Sequence, residues 1–241
     1  MAGSATFSRV AQGGVGLGVL LFTGLMLTKV VPYLSFEPGI DFLTTKSEET
    51  NADPLFRLGF YVHITSSLWV LLSGLVQFFP GLWAGRRNLH RTLGKVYVGS
   101  ILFLAAPSGL ILAFYANGGL VAKVGFTLQC IVWWLSSWQA YRTARQRLWQ
   151  AHTEWMLRSY LVTLAAMSLR LESYAMFYLL QTKPIETYLT VTWLSWTGNL
   201  VLAEVLIQAG VARRLLRRAL ALTPLLPAPS QPHLTAKPQL V

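Results

Sequence analysis

Seven side chains could carry chemistry if the fold brings them together: the imidazoles of His63, His90 and His152, the guanidiniums of Arg158 and Arg170, and the carboxylates of Glu172 and Glu204. All lie in or beside long apolar runs, where an ionised group costs about 2.5–3.5 kcal/mol on insertion scales. Such groups are tolerated only when they face other helices, a water-filled cavity or the interface. Imidazole is a common ligand of zinc, copper and haem iron, and its pKa of about 6.5 also suits it to moving protons. His90 and His152 each open an apolar run on the same side of the membrane. They could converge on a haem b or a metal ion, with Glu154 or Glu204 as third ligand or as acceptor for a ring N–H. His63 lies two turns into another run on the opposite side, where a bis-histidine haem would need a partner the sequence does not show. Arg158 and Arg170 could hold a carboxylate, a phosphate or a quinone oxygen.

Each of these groups also has a plainer reading. The histidines could hydrogen-bond between helices or meet lipid phosphates. Arg158 could pair with Glu154 or Glu204, and Arg170 with Glu172, or Arg170 could snorkel to the interface. No HxxH, HxxxH or ExxH pair supports a metal site, and the lone Cys130 excludes an intramolecular disulfide. The chain has no P-loop, GxGxxG, CxxC, HExxH or serine nucleophile elbow, which argues against the enzymology of soluble domains.

The element that must position these groups is the stretch Ala151 to Leu180, AHTEWMLRSYLVTLAAMSLRLESYAMFYLL. It is long enough to cross a bilayer, which takes about 20 helical residues. Read as one helix, it puts His152 and Arg170 on a common face about 27 Å apart, and that face should point into a bundle. Around it the sequence places six spans, at about 13–34, 55–79, 92–115, 120–141, 153–180 and 187–209. A Pro-rich stretch, 219–241, reads as a disordered tail. Pro107 is expected to kink the third span. Span two carries a small and polar stripe of His63, Ser66, Ser67, Gly74 and Gln77, span three adds Gly94, Tyr97 and Ser108, and span six adds Thr197, Gly198 and Asn199. Small residues allow close helix approach and polar ones prefer the interior, so these predict a buried polar seam.

Composition agrees with a membrane protein. Hydrophobic residues make up 54% of the 241 and charged residues 12%, with mean hydropathy +0.48. Soluble domains carry about 25% charged residues. With six spans both termini share one side, which collects thirteen basic residues against one acid, Glu154; the other side has five basic residues and six acids. The positive-inside rule makes the first side cytoplasmic. This asymmetry accounts for the net charge of +11 without nucleic acid. The basic loops and the run ARRLLRR at 212–218 are expected to meet anionic lipid. Trp83, Trp138, Trp149 and Trp155 fall at the inner boundary, and Tyr33, Tyr115, Tyr178 and Tyr188 at the outer one, as interfacial belts would.

The segments NLHRTLGKVYVGSIL, PSGLILAFYANGG, GFTLQCIVWW and AHTEWMLRSYLVTLAAMSLRL resemble the bacterial membrane proteins of domain-of-unknown-function family 2306, over roughly His63 to Leu171. The resemblance implies that His90, Arg91, Gly94, His152, Trp155, Arg158, Ser159 and Arg170 are the positions to watch, and it brings no substrate or cofactor. The sequence thus leads to an all-α, six-span bundle of the bacterial inner membrane with cytoplasmic termini. Its leading function is a haem-, metal- or quinone-binding bundle that supports electron transfer. The alternative is a small transporter or a non-enzymatic accessory subunit.

Overall fold

A computed structural model describes residues 2–37, 39–84 and 86–222, without the side chains of 2–12, Val15, Pro80 and Arg87; of the expected tail 219–241, residues 219–221 are instead the end of a helix, and those from Thr223 onward lie outside the described residues. All regular structure among them is helical. In chain order the α-helices are α1 (Ala2–Val30), α2 (Glu48–Ala52), α3 (Pro54–Gln77), α4 (Arg87–Ser100), α5 (Ala106–Phe114), α6 (Gly119–Arg145), α7 (Trp149–Thr163), α8 (Ala165–Leu180), α9 (Pro184–Gln208) and α10 (Val211–Ala221). Five segments are long and apolar enough to cross a membrane: Gly16–Ser35, Pro54–Gln77, Asn88–Phe114, Gly119–Arg145 and Pro184–Gln208. Their outward faces are rich in exposed Leu, Phe and Val, such as Leu17, Leu58, Phe103, Leu120 and Val201. A bilayer covers such a surface; water would not.

The predicted fifth span differs from expectation. It is two helices, α7 and α8, separated at Leu164, whose ψ of −5° departs from helical geometry. One residue earlier, a side chain enters the backbone ladder. Thr163 Oγ1 donates to the Ser159 carbonyl at 3.0 Å, the acceptor that the Thr163 N–H would use in a continuous helix. Back-bonding of this kind bends helices. The expected common face of His152 and Arg170 is therefore lost. His152 packs toward α6, whereas Arg170 is exposed on α8, bonded to its own helix at Ala166 O and lying 5.9 Å from the Phe22 ring of α1.

Pro107 acts earlier in the chain. It has no N–H to donate and its ring crowds the carbonyl four residues back. The turn before it, Ile101–Ala105, widens to a π-helix in which the Ala106 N–H reaches Ile101 O. Carbonyls of this turn accept side chains from other helices: Leu102 O accepts from Trp134 Nε1 at 3.2 Å, and Ala105 O bonds His63 Nδ1 at 2.9 Å. π turns are frequent at functional sites.

Helices α4 and α7 both start at the end of the bundle that carries the arginine-rich loops, here termed the basic end, and run parallel. The amphipathic α10 lies across this end with Ala212 and Leu215 buried and Arg213, Arg214 and Arg217 exposed. At the opposite, acidic end the loop before α3 is tied down by three polar clasps. Lys46 Nζ donates to Tyr115 O at 2.7 Å and to Asn117 Oδ1 at 3.0 Å, the Phe42 N–H donates to Tyr33 Oη at 3.0 Å, and Tyr115 Oη donates to Asp53 Oδ2 at 2.5 Å. The Tyr115 hydroxyl, helped by the Leu55 N–H, holds the Asp53 carboxyl below the ordinary carboxylate range. A depressed folded-state pKa contributes stability that is present above the unfolded value, about 4, and is lost as pH falls through the depressed one. Amide exchange across 41–53 should accordingly rise on acidification below about pH 4. Tyr115→Phe should remove that acid dependence, and an exchange profile indifferent to both pH and Tyr115 would refute the clasp.

Candidate functional site

The polar centre of the bundle lies between α4, α6 and α7. Tyr97, which is fully buried, bonds through its hydroxyl to Ser159 Oγ at 2.8 Å and Thr163 Oγ1 at 3.1 Å. Ser159 continues to Ser137 Oγ at 2.7 Å, and Trp133 Nε1 donates to Thr163 Oγ1 at 2.9 Å. Every hydroxyl among Tyr97, Ser137, Ser159 and Thr163 has a partner, as burial in a medium without water demands. Above it, Tyr97 and Tyr160 close over Gly74 of α3, and the Tyr160 hydroxyl donates to Leu71 O at 3.3 Å. This knot ties four helices together, α3, α4, α6 and α7. Ser137, Thr163 and Trp133 did not stand out in the sequence, because a hydroxyl in an apolar helix looks the same whether it bonds its own helix or another.

Two helical turns toward the basic end, about 10.5 Å by helix geometry, the same two helices carry the histidines: His90 is seven residues before Tyr97, and His152 seven before Ser159. His152 is fixed by a bond from Nδ1 to Ala140 O at 2.8 Å, which makes Nδ1 the protonated nitrogen and leaves the Nε2 lone pair free. That is how metal- and haem-ligating histidines are commonly oriented. The His90 ring packs on Trp83, centroids 4.4 Å apart, and lies within electrostatic reach of His152. Trp83 is therefore not part of an interfacial belt; it is buried against the site.

Three nitrogens around this pair are enclosed without partners: His90 Nδ1, Trp83 Nε1 and Gln77 Nε2. The Trp and Gln nitrogens can only donate, so the site is short of acceptors. One turn above His90 stands Gly94, where a Cβ would meet nothing closer than Gln77 Oε1 at 3.8 Å. The α4 face over His90 is thus open, in contrast to Gly74, where Tyr97 and Tyr160 fill the space.

The remaining candidates lie apart from this site. Arg158 forms a two-pronged ion pair with Glu204 of α9, Nε to Oε1 at 2.6 Å and Nη2 to Oε2 at 3.0 Å, and stacks 4.6 Å from the Trp155 ring. Glu154 accepts from Gln150 Nε2 at 2.6 Å. The two carboxylates that could have supplied a third ligand are thus engaged elsewhere. Among the described residues no group of three His, Cys, Asp or Glu is placed to hold a metal ion. His63 sits in the other half of the bundle beside Cys130, both about 3 Å from where a Gly109 Cβ would be. Its partner is the Ala105 carbonyl, a backbone group that the sequence does not single out. Glu172 and Arg170 do not pair with each other.

The Arg158–Glu204 side chains are 19% and 47% exposed, so the pair acts as an outer clasp of α7 on α9. Its coupling should be about 1 kcal/mol, as for partly solvated pairs. A double-mutant cycle with Arg158→Met and Glu204→Met, read by thermal unfolding in detergent, measures it; coupling of several kcal/mol would contradict the assignment.

An all-helical bundle with several apolar, membrane-length helices defines a multi-pass membrane protein. Within that class, residues 60–207 match the family described as "Predicted membrane protein (DUF2306)", and the chain belongs to it. No curated protein and no solved structure matches the chain.

Proposed function

We propose that the protein is a membrane redox protein that holds one haem b between His90 and His152, with its basic end on the cytoplasmic side of a bacterial inner membrane. The observation that carries this reading is the pair of imidazoles at one level of two parallel helices, each seven residues before a partner in the Tyr97–Ser159 bond, with no third His, Cys, Asp or Glu grouped with them among the described residues. Zinc and copper sites draw three or four ligands from the chain, whereas haem iron already has four nitrogens and takes only two more. The surrounding residues fit the group: the open α4 face at Gly94 gives room beside His90, and Trp83 Nε1–H and Gln77 Nε2–H are unmet donors suited to propionate carboxylates. Bound there, haem would supply reversible one-electron transfer. The chain's own part is to orient His152 through Ala140, to stack His90 on Trp83, and to seal the site from the far half of the membrane with the Tyr97–Tyr160 lid. Arg158 lies outside this machinery, and Arg158→Met should leave any haem spectrum unchanged.

The same donors would also receive a quinone carbonyl, and one titration separates the two. Hemin added to the detergent-purified protein should raise a Soret band that saturates at one equivalent. A quinone analogue that quenches Trp83 fluorescence while hemin raises no Soret band would favour the quinone reading instead. At the basic end, the exposed Arg213, Arg214 and Arg217 line a groove of roughly 310 Å³ with Gln208. Anionic lipid head groups are the partners proposed for this surface.

A further inference from the structure

The interface between α8 and α9 holds a second unexplained polar pair. Its register is fixed by Ser168 Oγ, which donates to Asn199 Oδ1 at 2.9 Å, while Asn199 Nδ2 donates to Leu161 O at 2.9 Å. The helices are antiparallel, so one turn on from Ser168 and one turn back from Asn199 bring Glu172 and Ser195 to the same level of the same interface. Ser195 is fully buried and its hydroxyl has no partner. Its neighbours Thr192 and Thr197 on α9 both bond the carbonyl four residues back, and Ser195 does not. Across from it, Glu172 Oε2 is enclosed and equally without a partner. Outward of this interface α8 presents Leu171, Tyr174, Phe177, Tyr178, Leu179 and Leu180, an apolar surface for lipid.

No cation among the described residues neutralises Glu172. On its own helix Arg170 is turned away, bonded to Ala166 O and close to Phe22, Tyr33 and Tyr174. On α7 Arg158 is committed to Glu204. Helix α9 offers no charged residue between Glu186 and Glu204. Intramembrane ionisable groups mark ion pathways and proton relays, and one without a counter-charge is a candidate for such a site.

We propose that Glu172 and Ser195 form a proton-binding site inside the membrane, in which the carboxyl takes up and releases one proton and the Ser195 hydroxyl donates to the carboxylate when the proton has left. The inference does not depend on haem at His90 and His152.

A lipid-soluble carbodiimide, dicyclohexylcarbodiimide, tests it on the full chain in detergent. A protonated carboxyl adds across the reagent's C=N bond: the carboxyl oxygen bonds the central carbon and its proton moves to nitrogen. Acyl migration to nitrogen then leaves a stable adduct carrying the whole reagent. Peptide mass mapping should place the adduct on Glu172, with Glu204 unlabelled because Arg158 keeps it ionised. Labelling should fall as pH rises through the site's midpoint and disappear in Glu172→Gln. In Ser195→Ala the midpoint should move up by about one pH unit, because a hydrogen bond to the carboxylate is lost. Absent labelling of Glu172, or labelling that ignores pH, would overturn the site. A midpoint unmoved in Ser195→Ala would overturn the role of the hydroxyl.

Discussion

Replacing either His90 or His152 by alanine should abolish haem binding in the purified protein, leaving no Soret absorbance above that of an unrelated haem-free membrane protein. The proposed ligation by two imidazoles would have no substitute, because among the described residues no third His, Cys, Asp or Glu is grouped with them to take over the vacated position. The loss is expected to exceed 100-fold in affinity, well beyond the 10–100-fold typical when only an outer hydrogen-bond partner is removed. Ala140 contributes through its backbone, so no side-chain change there mimics the loss. The folded state should survive both substitutions: His152 makes one hydrogen bond, worth about 1 kcal/mol, and His90 makes none among the described residues. His63→Ala is the informative control. Its imidazole lies in the opposite half of the bundle and is held by a backbone carbonyl, so its removal should leave the spectrum intact. If His63→Ala removes the spectrum and His152→Ala does not, the haem site is misplaced.

Gly74→Val should be the most damaging single change to the fold. A Cβ at Gly74 would lie 2.6 Å from Tyr160 Cε2 and 2.7 Å from Tyr97 Cε2. Flexible side chains can yield to such contacts, but these two rings cannot move freely. Tyr97 is tied to Ser159 and Thr163, and Tyr160 is tied to Leu71 O and packed 5.0 Å from Phe78. Overpacking costs about 1–3 kcal/mol where neighbours can adjust, and more where they cannot. The expected result is a sharp drop in the yield of monodisperse protein and a lower unfolding temperature. Gly94→Ala, placed where only one atom lies within 4 Å, should by contrast keep the fold. Equal stability of Gly74→Val and wild type would mean that the tyrosine knot is looser than described.

The contrast between those two glycines shows what a sequence can and cannot convey. Both belong to the small and polar stripes that were legible in spans two and three, and the stripes do mark interior faces. Whether a glycine is filled by a neighbour or left open depends on tyrosines twenty or more residues away. The helical class was legible because apolar length and charge scarcity are local properties. The break at Leu164 was not: it lies beside Thr163, whose hydroxyl is held by Trp133 and Tyr97 of other helices. Charged residues were the strongest signal and only partly point to the site: Arg158 and Glu204 satisfy each other, whereas the unmet groups include Gln77, Trp83, His90, Ser195 and Glu172, most of them uncharged. Unmet hydrogen bonds become visible only once every partner has a position.

The account turns on whether two imidazoles at the basic ends of α4 and α7 bind one iron between them. The most direct measurement is electron paramagnetic resonance of the oxidised protein, purified from haem-replete cells, together with a haem-to-chain ratio. The account predicts one haem per chain and a low-spin ferric signal of bis-imidazole type. A high-spin signal from a single axial ligand, or protein that neither retains haem nor takes it up when hemin is added, would contradict it.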